Sequence, residues 1–539
     1  MIPTNLTLTK GANIMKRMIA NSLNPTVLAI GLCAASIPQQ VLAQATPGYN
    51  HKIPEKIMTP ATVETRIGTL KFFDGMPDKA TVQKVYDNLD LMRGTEAFLN
   101  GIPATSLDAM LVGNAELGAN SSNKVVIFDQ LMDSAPLWLT GNTDTVYASV
   151  VLDLKKDGPT VVEIPPGCGP GTVNDAYFRF LIDMGAPGPD QGKGGKYLIL
   201  PPDYKGTLDG PIGGKEQEVD GQKYFVVKSP SYRNWLALRG FLVDGKTDAA
   251  VTMFKTSLKV YPFAQAANQP AMEFISGSRK VSNTIHANNY EFFEELHAVV
   301  EREPSTMWDS ETLGLFASIG VQKGKPFAPD ARMKKILTEA AAIGNATSRA
   351  LQFRPHLDGV YLYPKSAWFN PFVDGSHEFL RAGGAGGRNQ DSRALFYYGA
   401  TVNTPAMVMK MVGVGSQYAY AATDKDGNYL DGRKNYKLHI PANPPAKNFW
   451  SVVVYDPQTR SQLQTSQTFP SKNNKRDKLA MNADGSVDLY YGPKAPSGKE
   501  ANWTQTVPGK GWFVLFRLYG PLEPWFDKTW RPGEFELVK

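Results

Sequence analysis

Apolar residues fall into two kinds of pattern along the chain. Short β-branched and aromatic runs bounded by Gly, Pro, Asn and Asp clusters read as strands. Over residues 124–240 these runs are Val125-Val126-Ile127-Phe128, Val146 to Leu152, Thr160 to Ile164, Tyr177 to Ile182, Tyr197 to Leu200 and Tyr224 to Lys228. Residues 436–535, near the end of the chain, repeat the pattern with Tyr436 to Ile440, Phe449-Trp450-Ser451-Val452-Val453-Val454-Tyr455 and Trp512 to Tyr519. Asp426-Gly427 and Asp484-Gly485 sit where hairpin turns are needed. Successive side chains of a strand face opposite sides, so Trp450 and Tyr455 cannot both point into one core.

Helical spacing governs other segments. Val82, Val85, Tyr86, Leu89 and Met92 predict a helix over 78–100, with Thr81 as its cap. Helical patterns also cover 248–260 and 288–350. The second of these carries the stripe Phe292, Phe293, Leu296, Val299 and Val300, then Ile336, Leu337, Ala340 and Ile343 behind Pro329-Asp330. Residues 355–400 read as a connector with aromatic clusters and a Gly383 to Gly387 loop. No repeat of solenoid period occurs. The predicted organisation is an N-terminal β-sandwich over 59–245, a helical and connector region over 246–400, and a C-terminal β-sandwich over 401–536. The fold class is mainly β with a helical segment, in two β-sandwich domains of jelly-roll type.

With 539 residues, 42% hydrophobic and 20% charged, the chain suits a soluble globular protein with more than one core. The net charge of +6 is modest and no extended Lys/Arg run occurs, which gives no support to a nucleic-acid partner. Lys16-Arg17, an apolar stretch from Pro25 to Ile37 and Val41-Leu42-Ala43 read as a signal peptide, residues 1–43, cut before Gln44. The rival reading is an uncleaved anchor. Cleavage implies a periplasmic or secreted protein with no membrane span, since no later run reaches the needed length. Only Cys168 then remains, so no internal disulfide can form, and the fold is held by its cores or by assembly into a homo-oligomer.

Few motifs carry chemistry. Gly167 to Gly171 and Gly383 to Gly387 lack the spacing of phosphate loops. A Gly-x-Ser-x-Gly elbow is absent from the sequence, which removes the α/β-hydrolase reading. Glu294 and His297 have di-metal spacing, but Glu294 lies opposite the apolar stripe of its helix, on a solvated face. His286 and His377 have no partners at ligand spacing. Asp424 to Asn428 and Asn482 to Ser486 resemble calcium loops, yet their glycine falls where a hairpin turn wants it. No metal and no cofactor is expected.

The best candidate site is Asn142-Thr143-Asp144-Thr145-Val146-Tyr147. Its bland reading is an Asx turn ahead of a strand. Its functional reading makes Asp144 a general base or orienting carboxylate and Tyr147 a proton donor. Arg179 would neutralise an acidic substrate group or an oxyanion, unless it is merely paired with Asp183. Asn142, Trp450, Trp503 and Arg517 are the substrate-binding candidates.

These same segments carry a family resemblance. Arg93-Gly94 and Gly101-Ile102-Pro103, Asn142 to Tyr147, Phe178-Arg179, Asp183-Met184-Gly185, Trp450 to Asp456, Thr459-Arg460-Ser461, Asn502-Trp503 and Leu518-Tyr519-Gly520-Pro521-Leu522 resemble a bacterial family. It pairs the domains of unknown function 1254 (N-terminal) and 1214 (C-terminal), and the resemblance covers about residues 59 to 536. It implies the two-sandwich fold and names no reaction. The functional expectation is an exported enzyme of hydrolase type, acting on a small organic or ester-like substrate. The alternatives are a non-catalytic ligand-binding protein and a structural or assembly protein of the cell envelope.

Overall fold

The computed structural model describes residues 53–538. The expected signal peptide and its cleavage site lie outside the described residues. The chain divides into two compact units, Met1–Val82 and Gln83–Lys539. In the first, strands Thr62–Thr65, Gly68–Phe73 and Met76–Pro77 form an antiparallel meander.

The second unit holds two sandwiches, each made of two sheets. One sheet of the first sandwich orders its strands Glu273–Ser276, Lys124–Ile127, Val146–Asp153, Arg233–Gly240, Gly171–Asp175 and Phe180–Met184. The other runs Lys215–Val219, Gln222–Lys228, Gly195–Leu200, Thr160–Ile164 and Lys259–Pro262. The first sandwich thus takes in strands beyond the expected boundary at 245. Val125, Ile127, Val146, Val150 and Leu236 of one sheet meet Val162, Tyr197, Ile199 and Val260 of the other in one core. The second sandwich pairs the sheet Ser416–Ala421, Phe513–Pro521, Ala446–Tyr455 and Ser471–Asn473 with the sheet Trp503–Gln505, Val487–Gly492, Asn435–Ile440 and Phe535–Val538. Trp450, Val452, Phe516, Leu438 and Leu489 fill it.

A third core lies between the sandwiches and the helices. Tyr147, Val151 and Trp235 come from the outer face of the first sandwich, and Tyr418, Val453, Tyr455 and Leu515 from the outer face of the second. Phe98, Phe292, Phe293, Leu337 and Leu395 come from helices Lys79–Glu116, Glu291–Arg302, Ala331–Phe353 and Gln390–Gly399. The central strands Val146–Asp153, Ala446–Tyr455 and Phe513–Pro521 are therefore covered on both faces. That is why they read as continuous apolar runs rather than as alternation.

Helix Lys79–Glu116 departs from its expectation in three ways. Asp78 caps it, accepting the Thr81 N–H at 2.7 Å, and Thr81 itself lies inside the helix. It continues through Pro103, whose helix-interior cost is about 3 kcal/mol, because Phe98, Ile102, Leu107 and Leu111 are buried there. Its earlier stripe is a surface feature, with Tyr86 and Met92 exposed. Close helix packing explains Gly94 and Gly101. A Cβ at Gly94 would meet Ala340 at 2.8 Å, and one at Gly101 would meet Leu296 at 3.0 Å. Helix Gln390–Gly399, inside the expected connector, is buried over most of its length, so it lacks the polar face that marks a surface helix.

Candidate functional site

Strand register carries polar side chains into the junction between the sandwiches. In the first sandwich Arg239 lies directly opposite Tyr147 on the neighbouring strand. In the second, Arg517 lies opposite Tyr418 on one side and Ser451 on the other. All face the same way as the apolar residues of the central core, because they share the strand parity of Val151, Tyr420 and Val453. Each guanidinium stands over its cross-strand tyrosine ring, Arg239 at 5.6 Å from Tyr147 and Arg517 at 5.4 Å from Tyr418. The Arg517 guanidinium donates to the Tyr455 hydroxyl at 2.9 Å and to the Thr140 carbonyl. Thr140 holds φ at 41°, an uncommon backbone state for a β-branched residue, and its carbonyl serves Arg517 and Tyr455 together. Burial works to raise the Tyr418 phenol, but Arg239 and Arg517 outweigh it and hold it below its usual value. The expectation that Trp450 and Tyr455 face opposite ways is met. Trp450 fills the sandwich, and Tyr455 faces the junction.

Asp144 bolts this junction together. Its carboxylate is buried and accepts from Ser451 Oγ at 2.6 Å, Asn473 Nδ2 at 2.9 Å and Tyr519 Oη at 3.1 Å, all on the second sandwich. The preceding turn is the Asx turn that the sequence allowed. Asn142 Oδ1 accepts the N–H groups of Asp144 at 2.9 Å and Thr145 at 3.1 Å. The Asn142 N–H donates to the Tyr147 hydroxyl at 3.3 Å. One edge of Asp144 reaches a cavity of about 190 Å³ that is also lined by Phe241, Phe449, Asn473, Lys475 and Arg476.

Arg179 lies elsewhere. It lines a separate cleft of about 630 Å³ together with Tyr177, Lys228, His377, Arg388 and Arg393. Its ion pair is with Asp175 at 2.6 Å and not with Asp183. The reason is the hairpin. Asp175 ends one strand and Arg179 follows the turn, where Asp175 also accepts the N–H groups of Tyr177 and Arg179 at 2.8 Å each. Asp183 lies farther along, opposite Thr172, and accepts from Thr404 Oγ1 at 2.8 Å. The Tyr177 ring stands between two guanidiniums, Arg179 at 5.8 Å and Arg393 at 5.5 Å. Partial desolvation in the cleft holds the exposed Arg388 below its usual value, and the neighbouring Arg393 adds to it. Burial likewise lowers the His377 imidazole, against the pull of Glu378.

Asp144, Tyr147 and Arg179 therefore do not share one cavity. Tyr147 and Arg517 line a small void of about 20 Å³ at the junction, Asp144 lines the neighbouring cavity, and Arg179 lines the cleft. Trp503 stands apart on an edge strand of the second sandwich, donating its ring N–H to the Gly492 carbonyl at 2.9 Å. Among the described residues no group of His, Cys, Asp and Glu is arranged to hold a metal ion. Glu294 is exposed, and His297 shares a hydrogen bond with the Lys325 carbonyl at 2.8 Å. His286 is buried, and burial together with Arg460 pushes its imidazole down to about 3. Arg239, Tyr418, Arg388 and Arg393 carried no expectation from the sequence, and His377 was weighed only as a metal ligand. Arg239 had a signal, a charge directly after the apolar run from Trp235 to Leu238.

The family model described as "Protein of unknown function (DUF1254)" matches residues 122–262. That described as "Protein of unknown function (DUF1214)" matches residues 415–523, in the chain order that the motifs implied. A crystal structure of a Vibrio parahaemolyticus protein is 17% identical with a TM-score of 0.48, over 84% of this chain and 100% of that one. A putative uncharacterised protein from Burkholderia cenocepacia is 12% identical with a TM-score of 0.36, over 84% and 96%. No curated protein matches the chain.

Proposed function

For a chain that carries a domain of unknown function 1254 followed by one of 1214, we propose an exported enzyme of hydrolase type that takes a small organic substrate with a negatively charged group into the Arg179 cleft. The observation that carries this reading is the convergence of Arg179, Arg388 and Arg393 on that cleft, two of them against one tyrosine ring. Guanidiniums held close together repel, and an anion between them relieves the repulsion through paired, charge-assisted hydrogen bonds. His377, kept neutral by burial, supplies a general base beside them. In ester hydrolysis it would take a proton from the attacking water as the new C–O bond forms. It would return that proton to the alkoxide as the ester C–O bond breaks, and a guanidinium would balance the oxyanion. Export and a periplasmic or secreted location belong to this proposal and rest on the sequence of residues 1–43.

The second reading is a non-catalytic ligand-binding or envelope protein using the same cleft. It is favoured by the engagement of two cleft carboxylates, Asp175 in the hairpin and Asp309 as the cap of helix Ser310–Ser318. A panel of neutral and carboxylate-bearing aryl esters separates the two. The enzyme reading expects turnover of the anionic esters, a KM raised about tenfold in R393Q and a kcat lowered about 100-fold in H377Q. Calorimetric binding of the anionic compounds without turnover of any would establish the second reading instead.

A further inference from the structure

The junction holds two cations with no anion of their own. Arg517 is 4% exposed and its Nε has no hydrogen-bond partner. Its other contacts are a carbonyl and a phenol, both neutral. Among the described residues neither Arg517 nor Arg239 forms an ion pair with a carboxylate. Asp144 is the nearby acid, but Ser451, Asn473 and Tyr519 occupy its oxygens. A buried guanidinium without a counter-charge costs several kcal/mol. Between the two lies a cavity of about 20 Å³, lined by Arg239, Arg517, Tyr147, Tyr418, Tyr420 and Thr140. That is room for a single guest at least as large as a water molecule.

We propose that this cavity binds one small monovalent anion, a halide, between Arg239 and Arg517. The chemistry of the wall fits such an ion. Its lining residues Arg239, Arg517, Tyr147, Tyr418 and Tyr420 carry guanidinium N–H groups and phenol hydroxyls, the donors an anion needs. The room excludes a carboxylate with a chain attached, so the site is separate from the Arg179 cleft in both size and lining. Position gives the ion its role. Arg239 and Tyr147 belong to the first sandwich, Arg517 and Tyr418 to the second, and the anion ties the two Arg–Tyr pairs across the junction. Tyr418 offers the rival source of negative charge, since both guanidiniums favour its ionised form.

The test is thermal unfolding of the whole protein in chloride or bromide against gluconate at equal ionic strength. A saturating rise in Tm of about 2–5 °C with either halide, absent in gluconate, is expected. Crystals soaked in bromide should show an anomalous peak between Arg239 and Arg517. R239Q, at a half-buried position, should keep the fold and lose the halide dependence. No halide-specific rise in the wild type overturns the proposal. So does a bromide peak found only elsewhere. Absorbance near 295 nm that titrates below the usual tyrosine range in wild type and vanishes in Y418F, with melts indifferent to halide, would assign the charge to Tyr418.

Discussion

Ser451 donates its hydroxyl to the Asp144 carboxylate at 2.6 Å, joining two sandwiches across 307 residues of chain. With Asn473 and Tyr519 also donating, the carboxylate is the shared acceptor of the second sandwich. Removing it leaves three donors buried without a partner. D144A should lower stability by about 3 kcal/mol or more, and D144N by about 2 kcal/mol, because the new amide turns an N–H toward groups that already donate. Urea unfolding measures both. An unchanged midpoint in D144N with turnover cut about 100-fold would return Asp144 to the role of a catalytic base.

Cys168 is buried, and burial, with some help from Asp190, pushes its thiol up to about 12. The thiolate is the reactive species. On protein cleaved after Ala43, an aromatic disulfide reagent at pH 8 should find no reactive thiol until denaturant is added, and then one. Rapid labelling of the folded protein would mean that the loop around Cys168 opens readily.

Much of the fold was legible because its signals are local. Strand runs, turn residues and the stripe of helix Glu291–Arg302 depend on neighbours in sequence, and the stripe is buried as its spacing requires. Helix Gln390–Gly399 was hidden because its burial on most sides erases the polar face that periodicity needs. The candidate site was legible only by strand. Alternation set Tyr455 against Trp450, but nothing local says that the outer face of one sandwich meets the outer face of another. The contact between Asp144 and Ser451, and the meeting of the Arg239–Tyr147 and Arg517–Tyr418 pairs, arise from that packing alone. Arg179 shows the opposite failure. Four-residue spacing suggested Asp183, whereas the hairpin brings back Asp175.

Gly185 closes the strand Phe180–Met184 with φ at 71°. A Cβ there would collide with the Gly169 carbonyl oxygen and meet that of Cys168 at 2.7 Å. Both obstacles are backbone, which cannot rotate away. G185A should therefore cost about 2–4 kcal/mol, adding a left-handed φ penalty to the clash. G221A is the control, since Gly221 has φ at 71° and open space around its Cβ site. Its loss should be about 1 kcal/mol, measured by the same denaturant titration. Equal losses would mean that the 168–169 loop yields.

Stability against pH should carry two opposed slopes. Burial raises the Asp183 carboxyl from its ordinary 3.8 to about 7, only partly offset by the hydroxyls of Thr404 and Thr172. Between those values the folded protein holds a proton that the unfolded chain has released, so stability falls as pH rises through the window. His286 acts the other way. Its imidazole, lowered from 6.5 to about 3, stays neutral in the fold while the unfolded chain takes up a proton, so stability falls as pH drops from 6.5 toward 3. Glu295 is raised to about 7 by burial and adds to the Asp183 slope. D183N keeps an acceptor for Thr404 and cannot ionise. Relative to wild type it should gain on the order of 3–4 kcal/mol on going from pH 4 to pH 8. H286Q should gain relative to wild type on going from pH 7 to pH 4, leaving the alkaline side unchanged. Urea midpoints at pH 4, 5.5, 7 and 8 on all three proteins give the slopes directly. A D183N curve parallel to wild type at every pH would mean that the Asp183 carboxyl is ionised in the fold, with a cation beside it that the Thr404 hydrogen bond does not account for.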